Sequence, residues 1–255
     1  MKGLTKILPL VAFAALGVGL AGAQTADEIL AKSRSPEGVL SFQAHVDMTI
    51  AEVNGAFLHR SAEQYWVRDG ETTKRLVAFE TPSSVRNTRF LAVASDSEPA
   101  QRLLFSPATG KVSELGSAQG AHWFMGSDFS LEDICPRSPS LDTNILIGRE
   151  NLGATPCYVV ESRPRAAGQY LRVVHWISTE NFVLLKAEMY DQSGLAKRLV
   201  ASKIEVVDGI PTARSLKMDD LRHWSSTVLE FSDIRYNKET PAALFTTAYL
   251  AKGSL

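Results

Sequence analysis

Five histidines, His45, His59, His122, His175 and His223, are the side chains of this sequence best suited to proton transfer or metal ligation. None belongs to an H-E-x-x-H pattern. The serine of "GSAQG" (Gly116–Gly120) stands second, so there is no G-x-S-x-G nucleophile elbow. No P-loop occurs either. His45 and His175 fall inside strand-like stretches and read as ordinary residues of a sheet face. Asp128, Glu132 and Asp133 form a small acidic cluster that could bind Ca²⁺ or act as a carboxylate pair, but its spacing matches no calcium loop. Asp128 is instead expected to cap a short helix that starts at Phe129. Catalytic groups can assemble from distant segments, so a hydrolase reading survives on one condition. A histidine would have to point into an apolar cavity within reach of a nucleophile.

Cys135 and Cys157 are the two cysteines. In an oxidising compartment a pair at this separation can form a disulfide worth about 3 kcal/mol. The alternative is two separate buried thiols. No histidine sits at metal-ligand spacing from them, and no metal or cofactor is expected.

The compartment is suggested by the first residues. Lys2 and Lys6 precede an uncharged, mostly apolar run, Ile7–Leu20, then Ala21-Gly22-Ala23 and the polar Gln24-Thr25-Ala26-Asp27. These are the n-region, h-region and A-x-A-like site of a secretory signal peptide. The run is short for a membrane span, which needs roughly 20 residues. A lipid anchor would need a cysteine where Gln24 stands. The expectation is a signal peptide over 1–23, cleaved to leave a soluble, exported, periplasmic domain over 24–255. Of the 27 basic residues that cleavage removes Lys2 and Lys6, leaving a net charge of −3 against 28 acidic residues. There is no basic block and so no electrostatic footprint for nucleic acid.

The elements that must position any site are mostly strands. Thr25–Arg34 reads as a helix, with Thr25 as cap and Glu28 three residues on. In "SFQAHVDMTI" Phe42, Ala44, Val46, Met48 and Ile50 share one face, and Ser41, Gln43, His45, Asp47 and Thr49 the other. Asn54-Gly55, Asp69-Gly70 and Asp208-Gly209 mark hairpins. Further strands are expected over 56–67, 72–80, 88–94, 102–105, 111–115, 144–150, 157–163, 170–177, 183–191, 197–207, 212–218 and 227–236. A short helix near Pro241–Phe245 and an apolar tail, "FTTAYL", end the chain. The fold class is mainly β: one large, curved antiparallel sheet whose apolar face needs a cover. Only the first helix and the stretch "GAHWFMGSDFSLEDI" (Gly120–Ile134) are candidates for it.

"FMGSDFSLEDI" (Phe124–Ile134) resembles a signature of the outer-membrane lipoprotein-sorting protein family, the LolA-like periplasmic carriers. "LVAFETPSSVRNTRFLAV" (Leu76–Val93) resembles the family's strand-Pro-strand segment, with Asn87 where Gly is usual. "GATPCYVVESRP", "YLRVVHWIS", "LLKAEMYDQSG", "TVLEFSDIRYN" and "LFTTAYL" fit in the same order. One segment departs: "RLLFSPATGKVSEL" has Leu103, Leu104 and Phe105 in place of an aromatic run, and Lys111 nearly alone. The resemblance implies an incomplete, half-open β-barrel lidded by helices, with a cavity for acyl chains and no catalysis. It implies phospholipid or acylated lipoprotein cargo, and a transporter or outer-membrane acceptor as partner. From strand parity and motif position the cavity is expected to be lined by Phe42, Val46, Met48, Trp66, Phe79 and Phe90, under Trp123, Phe124, Met125 and Phe129. A one-residue register slip would turn Trp66 and Phe79 to the other face. The alternative is an envelope protein-interaction module in which the same residues are plain core.

Overall fold

The computed structural model describes residues 24–98, 100–116 and 123–254. The expected signal peptide (1–23) and Gly120–His122 lie outside these residues. Helix α1 (Ala26–Arg34) begins at a full capping box: the Glu28 N–H donates to Thr25 Oγ1 at 3.2 Å, and the Thr25 N–H donates to the Glu28 carboxylate at 2.8 Å. Its buried Ile29 and Leu30 pack on Tyr158, Val160 and Ile177.

Thirteen strands follow among the described residues. They are β1 (Ser41–Ala51), β2 (Phe57–Asp69), β3 (Thr72–Thr81), β4 (Arg89–Ser95), β5 (Gln101–Ser106), β6 (Lys111–Glu114), β7 (Asp142–Leu152), β8 (Thr155–Pro164), β9 (Arg172–Ser178), β10 (Leu184–Asp191), β11 (Gly194–Val207), β12 (Ile210–Asp220) and β13 (Ser225–Tyr236). One antiparallel sheet takes in all of them, in the order β6-β5-β4-β3-β2-β1-β13-β12-β11-β10-β9-β8-β7. Strands β6 and β7, consecutive in the chain, are its two edges, so the sheet is not closed into a barrel. The chain between them, residues 115–141, holds helix α2 (Leu131–Ile134) and two 3-10 turns, Phe124–Gly126 and Pro139–Leu141. Its described residues, 115–116 and 123–141, form the strap of the molecule. The half-open sheet expected from the sequence is the one observed.

Local chemistry explains the hairpins. Asn54 Oδ1 accepts from the Ala56 N–H at 2.7 Å and Gly55 takes φ +84°, which turns β1 into β2. Asn87, where glycine is usual, takes φ +66°. Asparagine tolerates that left-handed conformation better than most residues.

The apolar tail adopts a structure the sequence did not suggest. Helix α3 (Thr247–Lys252), preceded by a 3-10 turn at Ala242–Phe245, packs Leu244, Phe245 and Leu250 on Leu76, Leu91 and Phe105. These lie opposite the face that carries Val77, Phe79 and Phe90, so the β3–β5 region is covered on both sides. The buried Arg89 Nε donates to the Leu250 carbonyl at 2.7 Å, and Nη2 donates to Ala251 O at 3.3 Å. The Arg89 guanidinium lies 4.5 Å from the centre of the Phe105 ring. Replacing Arg89 by Met strands these carbonyls at the end of α3, and is expected to cost roughly 1–3 kcal/mol. Urea unfolding of the variant checks it, with earlier proteolysis after Pro241 as the local sign.

Candidate functional site

The strap is held at both ends of its course. Phe124 N–H donates to Phe129 O at 2.7 Å, and Trp123 bridges Ser130, which closes residues 123–130 into a loop. Met125 (φ +53°) and Gly126 (φ +75°) are both left-handed and make its sharp turn. Phe124 packs 5.6 Å from Phe79 and 5.2 Å from Phe90, in the cluster of β2–β4. Phe129 packs with Met189 and Met218 in the cluster of β10–β12. One loop is thus stitched into two walls well separated in the sheet order.

The helix-capping expectation needs correction. Ser130, not Asp128, caps the short helix: Ser130 Oγ accepts from the Asp133 N–H at 3.2 Å, and the Asp133 carboxylate accepts from the Ser130 N–H at 2.8 Å. Asp128 lies buried and reaches β13. Its carboxylate accepts from the hydroxyls of Ser225 and Thr227, the latter at 2.6 Å, and its N–H donates to Thr227 Oγ1 at 2.9 Å. Lys197 of β11 donates to Asp128 O at 2.7 Å and to Asp133 Oδ2 at 3.2 Å, both its side chain and that of Asp133 being almost fully buried. Tyr170 donates to the same Asp133 carboxylate at 2.9 Å. Burial, with Asp133 beside it, holds the Tyr170 phenol far above its ordinary range. The strap is therefore riveted by a buried polar network as well as by aromatic rings.

Between the strap, α1 and the concave face lies a cavity of about 1220 Å³. Phe42, Val46, Met48, Trp66, Phe79, Phe124 and Phe129 line it. Phe90 does not: it is fully buried behind Phe124 and Phe79. Trp123 does not either; it is 49% exposed and meets the His223 ring edge-on at 4.8 Å. Met125 sits in the left-handed turn and packs against the β2–β4 cluster, outside the lining. Parity placed the strand residues. It could not tell a first layer of aromatics from a second one.

Sequence reasoning missed the polar part of the wall. Arg34 of α1, Arg75 of β3, Ser162 of β8 and His175 of β9 all line the cavity. His175 is 8% exposed and its Nε2 has no partner; Ser162 Oγ and Arg75 Nε are likewise buried and unpartnered. Burial, with the Arg34 charge nearby, pushes His175 down to about 3. Burial also lowers Arg34, to about 10, against the opposing pull of Asp142. Ser162 and His175 are diagonal neighbours on paired strands, yet they do not hydrogen-bond to each other. This pair does not make the nucleophile–base contact that a hydrolase reading requires.

The cysteines are free. Cys135 follows α2 and its Sγ accepts from Arg102 Nε at 3.3 Å, while Cys157 is buried on β8 and donates to Thr155 O at 3.4 Å. Arg102 belongs to β5, next to one edge of the sheet, and β8 lies next to the other. Short separation along the chain does not bring them together, and the disulfide alternative is set aside. Among the described residues one cluster has metal-ligand side chains. It is His45, Glu63 and Glu80, with ligand atoms within 4.8 Å of one another, on the face away from the cavity. Its hydrogen bond to Glu63, 2.9 Å long, raises the His45 pKa, as suits a histidine among carboxylates. No described helix is long and apolar enough to cross a membrane.

An open antiparallel sheet wrapped around a strapped cavity defines a class, the LolA-like fold. A family model described as that of an uncharacterized protein matches residues 71–252, and the chain belongs to that family. A DUF1329 family protein from Desulfovibrio piger is 26% identical, with a TM-score of 0.83 over 88% of this chain and 97% of that one. A putative outer membrane lipoprotein-sorting protein domain from Vibrio parahaemolyticus is 24% identical (TM-score 0.83; 89% and 98% covered). A LolA superfamily protein from Nitrosomonas europaea is 23% identical (TM-score 0.70; 89% and 100% covered). No curated protein matches the chain. The resemblance read from the strap and strand motifs is borne out.

Proposed function

We propose that residues 24–255 form a single exported, periplasmic carrier domain. It takes the acyl chains of a lipid or lipoprotein into its cavity and shuttles them between envelope membranes without catalysis. The observation that carries this reading is the strapped cavity itself, with Val46, Met48, Trp66 and Phe79 on its floor and Phe124 and Phe129 on its roof. Each methylene moved there from water contributes about 0.8 kcal/mol. Several acyl carbons then bind too tightly to leave quickly, so release needs an acceptor, such as an envelope transporter or an outer-membrane protein. The LolA-like fold supports the reading.

Native mass spectrometry tests it. The protein, purified without detergent from a bacterium that exports it, is expected to carry about one acyl lipid per chain. Met48→Asp puts a charge on the floor without touching the strap, and is expected to empty the cavity in a protein that still melts cooperatively. A wild-type protein that is empty and also refuses added phospholipid and lipopeptide overturns the carrier reading.

One observation favours the second reading, an envelope interaction module. The edge strand β7 exposes Ile145, Leu146 and Ile147, with a bulge between Leu146 and Gly148. An apolar edge offers unpaired backbone groups to a partner strand.

A further inference from the structure

The cavity is not uniformly apolar. Arg75 Nη1 donates to Ile134 O at 2.6 Å, and Arg34 Nη1 donates to Arg137 O at 2.9 Å. The two guanidiniums therefore grip one short segment of the strap, three residues apart, from β3 on one side and α1 on the other. His175 lies near enough to Arg34 to feel its charge, with Ser162 diagonal to it. Of the other charges lining the cavity, Arg60 and Glu71 form no ion pair among the described residues, and the rest are matched. Arg137 pairs with Asp142 at 2.5 Å, Arg68 with Asp96 at 3.1 Å and Lys197 with Asp133 at 3.2 Å. Glu132 accepts from the Gln169 N–H at 3.2 Å and stands 4.0 Å from Arg137. Among the described residues neither Arg34 nor Arg75 has a carboxylate within 4.0 Å, and Arg75 Nε, His175 Nε2 and Ser162 Oγ have no partner at all. Unmatched buried donors of this kind are costly unless something fills them.

We infer that this polar pole, built by Arg34, Arg75, His175 and Ser162, receives the anionic head, phosphate or carboxylate, of an acyl-chain amphiphile. The inference rests on the carrier reading and deepens it. The apolar floor takes the chain, and the pole selects what the chain is attached to. Guanidinium and imidazole N–H groups donate to the anion, and a charge-assisted bond in an enclosed site is stronger than a neutral one.

The test compares dodecyl phosphate with dodecanol, which share a chain and differ in the head, and with inorganic phosphate, which has no chain. The full chain is titrated with each by calorimetry. Wild type is expected to bind dodecyl phosphate at least about tenfold more tightly than dodecanol, the effect of one charged hydrogen bond. Arg75→Met, Arg34→Met and His175→Phe are expected to erase most of that preference, lowering dodecyl phosphate affinity by at least about tenfold more than dodecanol affinity. Arg75→Lys, which keeps the charge and the fold, is expected to restore part of it. Equal wild-type affinities for the two amphiphiles overturn the inference and leave the carrier reading standing. So does an equal loss for both in the variants, because the arginines then act only by holding the strap. Inorganic phosphate binding as tightly as dodecyl phosphate overturns it in favour of a free-anion site. A protein that binds neither amphiphile overturns the carrier reading itself.

Discussion

Alanine in place of Asp133 is expected to cost the fold roughly 3–5 kcal/mol, the loss typical of breaking a buried ion pair from one side. The carboxylate serves three donors at once: the Ser130 N–H that opens α2, the Tyr170 hydroxyl and the Lys197 ammonium. Its removal leaves Lys197 buried with only the Asp128 carbonyl to meet its charge. The double variant Asp133→Ala/Lys197→Met is expected to recover much of the loss, because the stranded charge goes with its partner. Urea unfolding of the four proteins of this cycle checks both statements. A loss below about 1 kcal/mol for the single variant would mean that the Asp133 carboxylate adds little to the fastening of the strap.

Acidification is expected to destabilise the protein through His175. The folded state keeps this imidazole neutral down to about pH 3, whereas an unfolded chain protonates it near its ordinary value of about 6.5. Between those values the unfolded state binds the extra proton, so stability falls as pH falls, by about 1.4 kcal/mol per pH unit. At pH 4.5 the contribution is roughly 2–3 kcal/mol relative to pH 7. It vanishes above the unfolded value. His175→Phe removes it, so the pH 7 to pH 4.5 drop in stability is expected to shrink by that amount. Subtracting the variant's curve from wild type cancels the opposite contribution of His45, whose raised pKa adds stability on the acid side. Equal drops in the two proteins would show that water reaches the imidazole.

The sheet was legible in the sequence because its signals are local. Period-two runs such as Phe42 to Ile50, closed by Asn54-Gly55 or Asp69-Gly70, mark strand and turn without knowledge of the rest of the chain. The strap was legible as a segment but not in its fastening. Ser130 and Asp133 carry the spacing of a capping box, yet Asp128 lies as near and is an equally good cap by type. What distinguishes them is β13, almost 100 residues away, whose Ser225 and Thr227 claim Asp128. The polar pole was illegible for the same reason. Arg75 and His175 alternate with their neighbours like any solvent-facing residue, and only the closure of α1 and the strap over the concave face encloses them. Phe90 and Phe79 alternate identically too; the second layer arises because Phe124 drops between them.

The seam between β6 and β7 has a consequence for the size of what can be held. A closed barrel fixes its radius by strand number and stagger, as a hoop does. This sheet has free ends joined by a buckle of side chains, so its girth depends on where Phe124, Phe129, Asp128 and Asp133 fasten. Capacity can therefore change by refastening four residues while every ladder hydrogen bond stays in place.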